Sequence, residues 1–329
     1  MFLSWVRYHG RSAELAEVLG LKPEFVKPDG RNLVERYVRS ILQTRRCLRS
    51  DSSSSIFVML PPAPALLTVM AFKRSNTRIV ADLHTGYFLD PKWKWFSRIG
   101  LWMLRGEAVV VTNSELAKLT LKSGVRTFVL HDILTDRSMV ESTTAEGFVL
   151  CPLSYANDEP VDEIVAAARL CPQIRFVFTG RAPEAIKAKA TPNVRFTGYV
   201  TNEVFQRLLL EAQLICALTK RDFTMQRAGY EALMAGKPQV TSNFHVLSQF
   251  LTTAAEYVDP RDPQSIASGI ESVVKNSSYY SDEAQKVLVQ RIAEQRKSIE
   301  SLRAITTTSP KPQANARWHK NLHRNRSPR

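Results

Sequence analysis

Residues 213–243 read QLICALTKRDFTMQRAGYEALMAGKPQVTSN, and this stretch decides the fold. The apolar run 214–218 has the length of a buried strand, and a charged segment, 219–227, follows it. A helix is then predicted from about Ala228 to Gly236, where the glycine and the proline two residues later end it. Because a second strand, residues 238–241, is predicted to follow at once, the order strand, loop, helix, strand predicts a parallel sheet.

The charged loop and the helix start are expected at the carboxyl ends of the strands, the edge where open α/β sheets bind ligands. A helix N-terminus favours phosphate, since its amide groups are unpaired and the helix dipole is positive there. Glu231 lies about one turn into the predicted helix, where its carboxylate can accept hydrogen bonds from a ribose.

The 329 residues suffice for two domains, and both halves alternate strands with helices. The alternation predicts a doubly wound α/β domain over residues 1–140, a second over 147–304, and a basic disordered tail over 305–329. The segment 135–146 has little apolar content and is predicted to be the linker. Four scattered cysteines without a CxxC pair indicate free thiols, and hence a cytoplasmic protein.

The net charge of +14 is distributed unevenly along the chain. Residues 1–143 hold 21 Lys and Arg against 13 Asp and Glu, residues 144–304 hold 18 of each, and the last 25 hold six cations and no acid. A basic first half and tail indicate an anionic partner, either a membrane surface or a nucleic acid.

The run 231–238, EALMAGKP, resembles the donor-binding motif of the retaining group 1 glycosyltransferases of the GT-B class. Glu231 takes the place of the motif's second glutamate. The first would fall at Phe223, and the nearest acid is Asp222. Three further stretches resemble family segments: 192–199 (PNVRFTGY), 79–85 (IVADLHT), which resembles a strand ending in an active-site histidine, and 109–115 (VVVTNSE).

The resemblance implies a GT-B fold, in which two Rossmann-like domains face each other across a cleft. The second domain would hold a nucleotide-sugar donor as co-substrate, and the first would hold the acceptor, with no resident cofactor and no metal. It also implies that Glu231 binds the ribose and that His84 lies near the transferred sugar. His9 and Gly10, in the loop after the first strand, are further substrate-binding candidates, and Ser12 is predicted to cap the helix that follows.

One feature departs from the family pattern. The family carries an Arg and a Lys after the first strand of its second domain, and these neutralise the donor diphosphate, whereas residues 152–160 (PLSYANDEP) contain no cation. A diphosphate leaving group needs positive charge where its own charge grows. Candidate replacements lie in loops predicted at the same sheet edge: Arg181 beside Gly180, Lys220, Arg221 and Arg227. Arg227, with Asp222, is predicted to act in catalysis.

The segment 92–105, KWKWFSRIGLWMLR, is predicted to form an amphipathic helix. Its cations Lys94, Arg98 and Arg105 would share one stripe, and its apolar side chains would share the opposite side: Trp95, Phe96, Ile99, Trp102 and Met103. Its tryptophans suit either a membrane interface or a helix that covers the sheet and exposes its basic side. Both interpretations remain open at this stage.

Taken together, these patterns predict a metal-independent, hexosyltransferase-like enzyme that moves a sugar from a nucleotide-diphosphate donor to a lipid-linked or polysaccharide acceptor with retention. An anionic membrane, at the inner face of the cell membrane, is a candidate partner. Two alternatives stay open: a catalytically silent nucleotide-sugar-binding subunit, suggested by the missing cations, and a protein acting on nucleic acid, suggested by the pI of about 9.8 and the basic tail.

Overall fold

The computed structural model describes residues 1–27, 29–136 and 147–307. Strands and helices alternate throughout these residues. The strands are β1 Phe2–Ser4, β2 Pro23–Phe25, β3 Ser55–Leu60, β4 Arg78–Leu83, β5 Ala108–Val111, β6 Arg126–Val129, β7 Phe148–Cys151, β8 Arg175–Thr179, β9 Val194–Gly198, β10 Leu214–Ala217, β11 Gln239–Ser242 and β12 Ala255–Val258. The helices are α1 Gly10–Val18, α2 Leu33–Ser50, α3 Ala63–Phe72, α4 Thr85–Leu89, α5 Pro91–Met103, α6 Ser114–Leu121, α7 Val161–Leu170, α8 Glu184–Lys187, α9 Asn202–Glu211, α10 Arg227–Met234, α11 His245–Leu251, α12 Pro263–Lys275 and α13 Ser277–Thr307.

The chain divides into two compact units. Unit 1 combines Met1–Ile133 with the chain from Lys297 onward, and unit 2 is Leu134–Arg296. Unit 1 is built on a six-stranded parallel sheet in the order β2-β1-β3-β4-β5-β6. Its inner strands, such as SIFVML in β3 and AVVV in β5, are buried along their whole length, as expected for a parallel sheet with helices on both faces.

The end of α13 belongs to unit 1. Ile299, Leu302 and Ile305 are buried in one hydrophobic cluster with Phe2 and Leu15. The sequence assigned residues up to 304 to the second domain and residues from 305 to a disordered tail. The structure differs because these three apolar side chains, at helical spacing, pack into the core of unit 1. Residues 308–329, the rest of the predicted tail, lie outside the described residues, as does most of the predicted linker (137–146).

Unit 2 has its own six-stranded parallel sheet in the order β12-β11-β10-β7-β8-β9. The chain starts at the middle strand, β7, builds outward to β9, and then returns through β10 to build the other side. The strand order therefore reverses between β7 and β10, where Ile215 pairs with Leu150. Loops that leave two adjacent strands in opposite directions open a crevice at such a point, which is where doubly wound sheets bind their ligands.

The segment 213–243 folds as predicted into β10, α10 and β11. Helices α4, α8 and α11, of four to seven residues, were not predicted, because so short a segment shows little periodicity. Among the described residues, no helix has both the length and the apolarity needed to cross a bilayer.

Candidate functional site

Glu231, the first residue of the run 231–238, forms an ion pair at the start of α10. Arg227 is the first residue of α10, and Glu231 lies one turn later with its side chain 14% exposed. The Nε atom of Arg227 donates to Oε1 of Glu231 over 3.2 Å. This i,i+4 spacing places both side chains on one helix face, so the structure joins two residues that the sequence proposed for different roles.

The glycine, lysine and proline after α10 terminate helices. Gly236 has a φ of +61°, the left-handed conformation that favours glycine at a helix end. The Lys237 side chain is buried, and its Nζ donates to the carbonyl oxygens of Leu210 and, over 3.1 Å, Ala212. These carbonyls end α9, and burial lowers the pKa of Lys237. This half of the motif therefore supports the fold.

The loop after β7, where the resemblance implies cations, is organised around a buried carboxylate. Both oxygens of Glu159 accept from the amide of Ser154, at 3.1 and 3.0 Å. The Ser154 hydroxyl (2.9 Å) and the Ala156 amide (3.1 Å) also donate to Glu159. The donors of Ser154 and Ala156 thus bind the Glu159 carboxylate in the way that backbone amides bind an anion in anion-binding turns. The sequence analysis did not identify Glu159, since an acid in a polar loop carries no distinguishing pattern.

Two of the candidate cations, Lys220 and Arg221, are paired with acids next to them. Nζ of Lys220 lies 3.8 Å from Glu163, and Nε of Arg221 lies 3.9 Å from Asp158. The amide of Lys220 also donates to the Asp158 carbonyl over 2.6 Å. The β10 loop is therefore tied to the β7 loop across the point where the strand order reverses.

The remaining candidates in unit 2 serve local structure in the ligand-free protein. Arg181, in the loop after β8, lies over the ring of Tyr199, 5.6 Å from its centroid. The exposed Asp222 accepts from the amide of Phe223 over 2.7 Å, and Phe223 has a φ of +59°. Asp222 thus stabilises an unfavourable backbone conformation, and its role in catalysis stays a prediction.

Gly180 lies against the β7 loop. Its φ is +87°, and a Cβ atom at this position would lie 2.0 Å from the carbonyl oxygen of Leu153 and 3.2 Å from the ring of Tyr155. No side chain fits there without moving backbone. Gly180 therefore sets the position of the β7 loop, and its contact with substrate stays a prediction.

In unit 1, a buried ion pair lies at the carboxyl end of β4. Nη2 of Arg11 donates to Asp82 Oδ1 (3.0 Å) and to the Leu130 carbonyl (2.8 Å), while its Nη1 lies 3.4 Å from Asp132. The side chains of Arg11 and Asp82 are 3% and 0% exposed. Burial disfavours the Asp82 carboxylate, but Arg11 and His84 outweigh that effect and hold the pKa of Asp82 well below its usual range.

Asp82 in turn orients His84. Nε2 of His84 lies 3.1 Å from Asp82 Oδ2, and the imidazole is 23% exposed. A neutral His84 that donates from Nε2 to the carboxylate keeps its Nδ1 lone pair. His84 therefore has the arrangement of a histidine that can accept a proton or a hydrogen bond from a substrate hydroxyl.

His9 packs against His84 edge to face, with ring centroids 5.0 Å apart. It is the N-cap of α1, and its Nδ1 accepts from the amide of Ser12 over 3.3 Å. A neutral His9 accepting at Nδ1 carries its proton on Nε2. The two rings together thus offer a donor and an acceptor. The prediction that Ser12 caps α1 was wrong: the helix starts earlier, at Gly10, and Ser12 is buried inside it.

Burial, reinforced by the neighbouring His84, lowers the pKa of His9 to about 4, although Asp82 and Asp132 oppose the shift. The unfolded chain protonates His9 near pH 6.5 and the folded chain only near 4. The stability of unit 1 should therefore fall as the pH decreases through this window. We expect the loss in urea midpoint between pH 7.5 and 5.0 to be smaller in His9→Asn, which keeps a cap acceptor, than in the wild type. Equal losses in the two proteins would contradict the shift.

Comparison with known proteins follows this geometry. Residues 153–276 match the family model of the group 1 glycosyl transferases, a region that holds the β7 loop, the β10 loop and all of α10. Unit 2 therefore contains a region that matches the group 1 glycosyltransferases. No curated protein sequence matches the chain.

Solved structures agree with a glycosyltransferase fold at low sequence identity. HepE from Anabaena, in complex with UDP and glucose, is 15% identical with a TM-score of 0.66, covering 91% of each chain. Sucrose-phosphate synthase from Thermosynechococcus elongatus is 11% identical with a TM-score of 0.69, covering 93% of this chain and 98% of that one. TarM is 13% identical with a TM-score of 0.64, and 83% of this chain covers 59% of TarM. The predicted GT-B fold, with two Rossmann-like α/β units, is confirmed.

The sequence analysis missed the residues on which the histidines of this glycosyltransferase depend. Asp82 interrupts the apolar strand RIVADL, and a carboxylate at such a position needs a buried partner. That signal was available, but it does not identify Arg11, which lies 71 residues away. Among the described residues, no cluster of three His, Cys, Asp or Glu could hold a metal ion.

Proposed function

We propose that the protein transfers a sugar, with retention, from a nucleoside diphosphate donor to a polysaccharide or lipid-linked acceptor at the cytoplasmic face of the cell membrane. The observation that carries this proposal is the position of Glu231. It lies on the first turns of α10, next to the reversal in strand order, within the region that matches the family model. A carboxylate there can accept both ribose hydroxyls while the helix N-terminus faces the phosphates.

In this proposal, Arg227 neutralises the donor diphosphate. Its guanidinium is held at the start of α10 by Glu231, so one helix turn would present both the ribose ligand and the phosphate ligand. Arg181, Lys220 and Arg221 lie on the loops around the same sheet edge and would contribute at longer range. A metal ion and a resident cofactor are not required for this arrangement.

Unit 1 would supply His84 and His9 to the sugars. The Asp82 contact gives His84 a free acceptor, and the Ser12 contact gives His9 a donor, a pair suited to a sugar hydroxyl. The glycan ligands of relatives support a sugar acceptor: a TarM variant from S. aureus was solved with fondaparinux, alpha-GlcNAc-glycerol and UDP.

Glu231→Ala is expected to weaken nucleoside diphosphate binding about tenfold to a hundredfold, as the loss of a charged hydrogen-bonding group costs about 1.5–3 kcal/mol. Titration calorimetry with UDP and GDP, in EDTA and then in magnesium, measures both the affinity and the predicted metal independence. Glu211→Ala, on α9, is the matched control and should bind as the wild type does. Unchanged affinity in Glu231→Ala, or binding only with magnesium, would contradict the proposal.

Arg227→Ala is expected to lower kcat about 10- to 100-fold and to weaken donor binding less, because the charge of the leaving group is greatest in the transition state. Arg181→Ala removes the same side chain from another loop and should change kcat little. Kinetics with the nucleotide sugar that most raises the melting temperature in a panel would measure both variants. Equal, small effects would show that Arg227 does not replace the family's cations.

A catalytically silent subunit is the second candidate. It is favoured by the acids that already pair with the cations at the sheet edge proposed to bind the donor. Arg227, Lys220 and Arg221 each have an acid within 4 Å, and Glu159 occupies the amides of the β7 loop. A diphosphate must therefore compete with carboxylates already in place. Pure protein that binds a nucleotide sugar, yet neither hydrolyses nor transfers it over hours with a panel of acceptors, would establish this candidate over the enzyme.

A further inference from the structure

Helix α5 is anchored to unit 1 through one face only. Phe96, Gly100 and Leu101 are buried. A Cβ atom at position 100 would lie 2.0 Å from the hydroxyl of Tyr87, so glycine permits α5 to approach α4 closely. The opposite face of a helix held in this way is accessible to a partner without any rearrangement of the fold.

That opposite face is aromatic. Trp95 is 66% exposed, Trp102 62% and Ile99 48%. Their spacing places them on one stripe about 10 Å long, because residues at i, i+4 and i+7 follow a single helix face. The sequence grouped these residues with Phe96 and Met103 on a common apolar side. The structure separates them: Phe96 packs inward, whereas the more exposed Trp95, Ile99 and Trp102 point away from the core.

The charged residues within α5 are all basic, and the nearest acid along the chain is its N-cap, Asp90. Lys94 and Arg98 are exposed beside the tryptophans, and Lys92 and Arg105 are exposed at the helix ends. Residues 91–106 contain no acid. Nε1 of Trp95 donates to the Lys92 carbonyl over 2.9 Å, so the polar group of that indole is satisfied within the helix and its ring can enter an apolar phase.

We propose that the α5 outer face, defined as Lys94, Trp95, Arg98, Ile99 and Trp102, binds an anionic lipid bilayer. The helix would lie in the interface, with the indoles among the headgroups and upper acyl chains and the cations on the lipid phosphates. The charge complementarity selects this occupant. A helix face with two indoles between cations fits a flat anionic surface, whereas a purely electrostatic partner such as duplex DNA would leave the indoles without an apolar environment.

Neighbouring helices extend the same chemistry. Helix α3 contacts both α2 and α5, and Phe72 of α3 is 40% exposed with the Arg45 guanidinium of α2 over its ring. Along α2, Val34 and Val38 are 72% and 48% exposed. Exposed apolar side chains thus recur on α3, which contacts α5, and on α2, which contacts α3.

This binding goes beyond the proposed transfer reaction and does not depend on it. Full-length protein should float with vesicles of phosphatidylcholine containing 30% phosphatidylglycerol at 50 mM salt, and its binding should weaken about tenfold or more at 500 mM salt, because salt screens the headgroup charge. Phosphatidylcholine alone should bind much less. Brominated lipids should quench tryptophan fluorescence, which reports insertion of the rings and not only surface attraction.

Two double variants separate the apolar and the basic contributions. Trp95→Gln with Trp102→Gln should abolish quenching and weaken binding at least tenfold. Lys94→Gln with Arg98→Gln should weaken binding about tenfold and flatten the salt dependence. The matched controls lie in unit 2: Leu170→Gln with Val289→Gln, which are 48% and 66% exposed, and Lys187→Gln with Arg207→Gln. Both should bind as the wild type does.

Because all substituted side chains are exposed, the melting temperatures should be unchanged, and any variant whose melting temperature falls is replaced by the single substitutions. The proposal is overturned if the α5 variants bind vesicles like the wild type. The same holds if only a chain ending at Thr307 loses binding, because the segment after Thr307 then accounts for it. It is also overturned if duplex DNA binds more tightly than the vesicles and the tryptophan variant binds DNA unchanged with no quenching by lipid.

Discussion

Arg11→Met is expected to lower the free energy of unfolding of unit 1 by about 3–5 kcal/mol, the usual cost of removing one partner of a buried ion pair. Arg11 holds Asp82, whose side chain is fully buried, and also bonds the Leu130 carbonyl. Without the guanidinium, Asp82 is left as an uncompensated charge or must take up a proton. Urea unfolding followed by tryptophan fluorescence measures the loss, since all tryptophans among the described residues lie in unit 1.

Two further variants make this prediction specific. Arg7→Met breaks the ion pair with Asp29, whose partners are 79% and 51% exposed, and should cost less than about 1 kcal/mol. Arg11→Met combined with Asp82→Leu removes both charges and should regain most of the stability. The double variant should nevertheless stay inactive, because His84 has lost the carboxylate that fixes its tautomer. A loss below about 1 kcal/mol in Arg11→Met would contradict the buried pair.

Gly180→Ala is expected to destabilise unit 2 by about 2–5 kcal/mol. The left-handed backbone costs about 1–3 kcal/mol with a side chain present, and overpacking typically costs about 1–3 kcal/mol more. The second cost arises because the new Cβ atom would lie 2.0 Å from the Leu153 carbonyl oxygen, which is backbone and cannot rotate away. Displacement of the β7 loop should also weaken donor binding. Hydrogen exchange measured on peptides from β7 and β8 reports the stability of this region.

Gly198→Ala is the matched control. Gly198 has a φ of +72°, and no described atom lies within 4 Å of a Cβ atom built there. It even lies beside Gly180, whose amide donates to its carbonyl over 2.9 Å. Gly198→Ala should therefore show the backbone cost alone, and the difference between the variants isolates the collision with Leu153. If both variants behave alike, the β7 loop does not rest on Gly180.

The architecture could be predicted from the sequence because its signals are local. The apolar run 214–218 predicts β10, and the stop at Gly236 and Pro238 ends α10 and lets β11 begin, whatever the rest of the chain does. The end of α13 was assigned to the wrong unit for the opposite reason. Ile299, Leu302 and Ile305 show a helical apolar spacing, but spacing does not reveal which core the apolar face joins.

The candidate site could be predicted only in part, since ion pairing depends on loop conformation. The sequence supplied Arg227, Lys220 and Arg221 as cations near a sheet edge. Arg221 meets Asp158 only because of how the β7 loop folds, and that loop is set by Glu159 and Gly180. Lys220 instead meets Glu163 of α7, and Arg227 meets Glu231 through their i,i+4 spacing. His9 and His84 are 75 residues apart in the sequence and follow different strands, so each histidine could be proposed from its own loop but not as a pair.

The role of Lys237 changes how the run 231–238 should be weighed when other chains are compared with this one. A chain that lost all chemistry would still need to end α10, turn into β11 and cap α9, so selection for folding alone would retain Gly236, Lys237 and Pro238. Half of the motif is thus compatible with an inactive descendant. Glu231 and Arg227 pair on one face of α10 and are the residues proposed to contact the donor, so substitution at these two positions would be the sharper marker of a lineage that has abandoned nucleotide sugars.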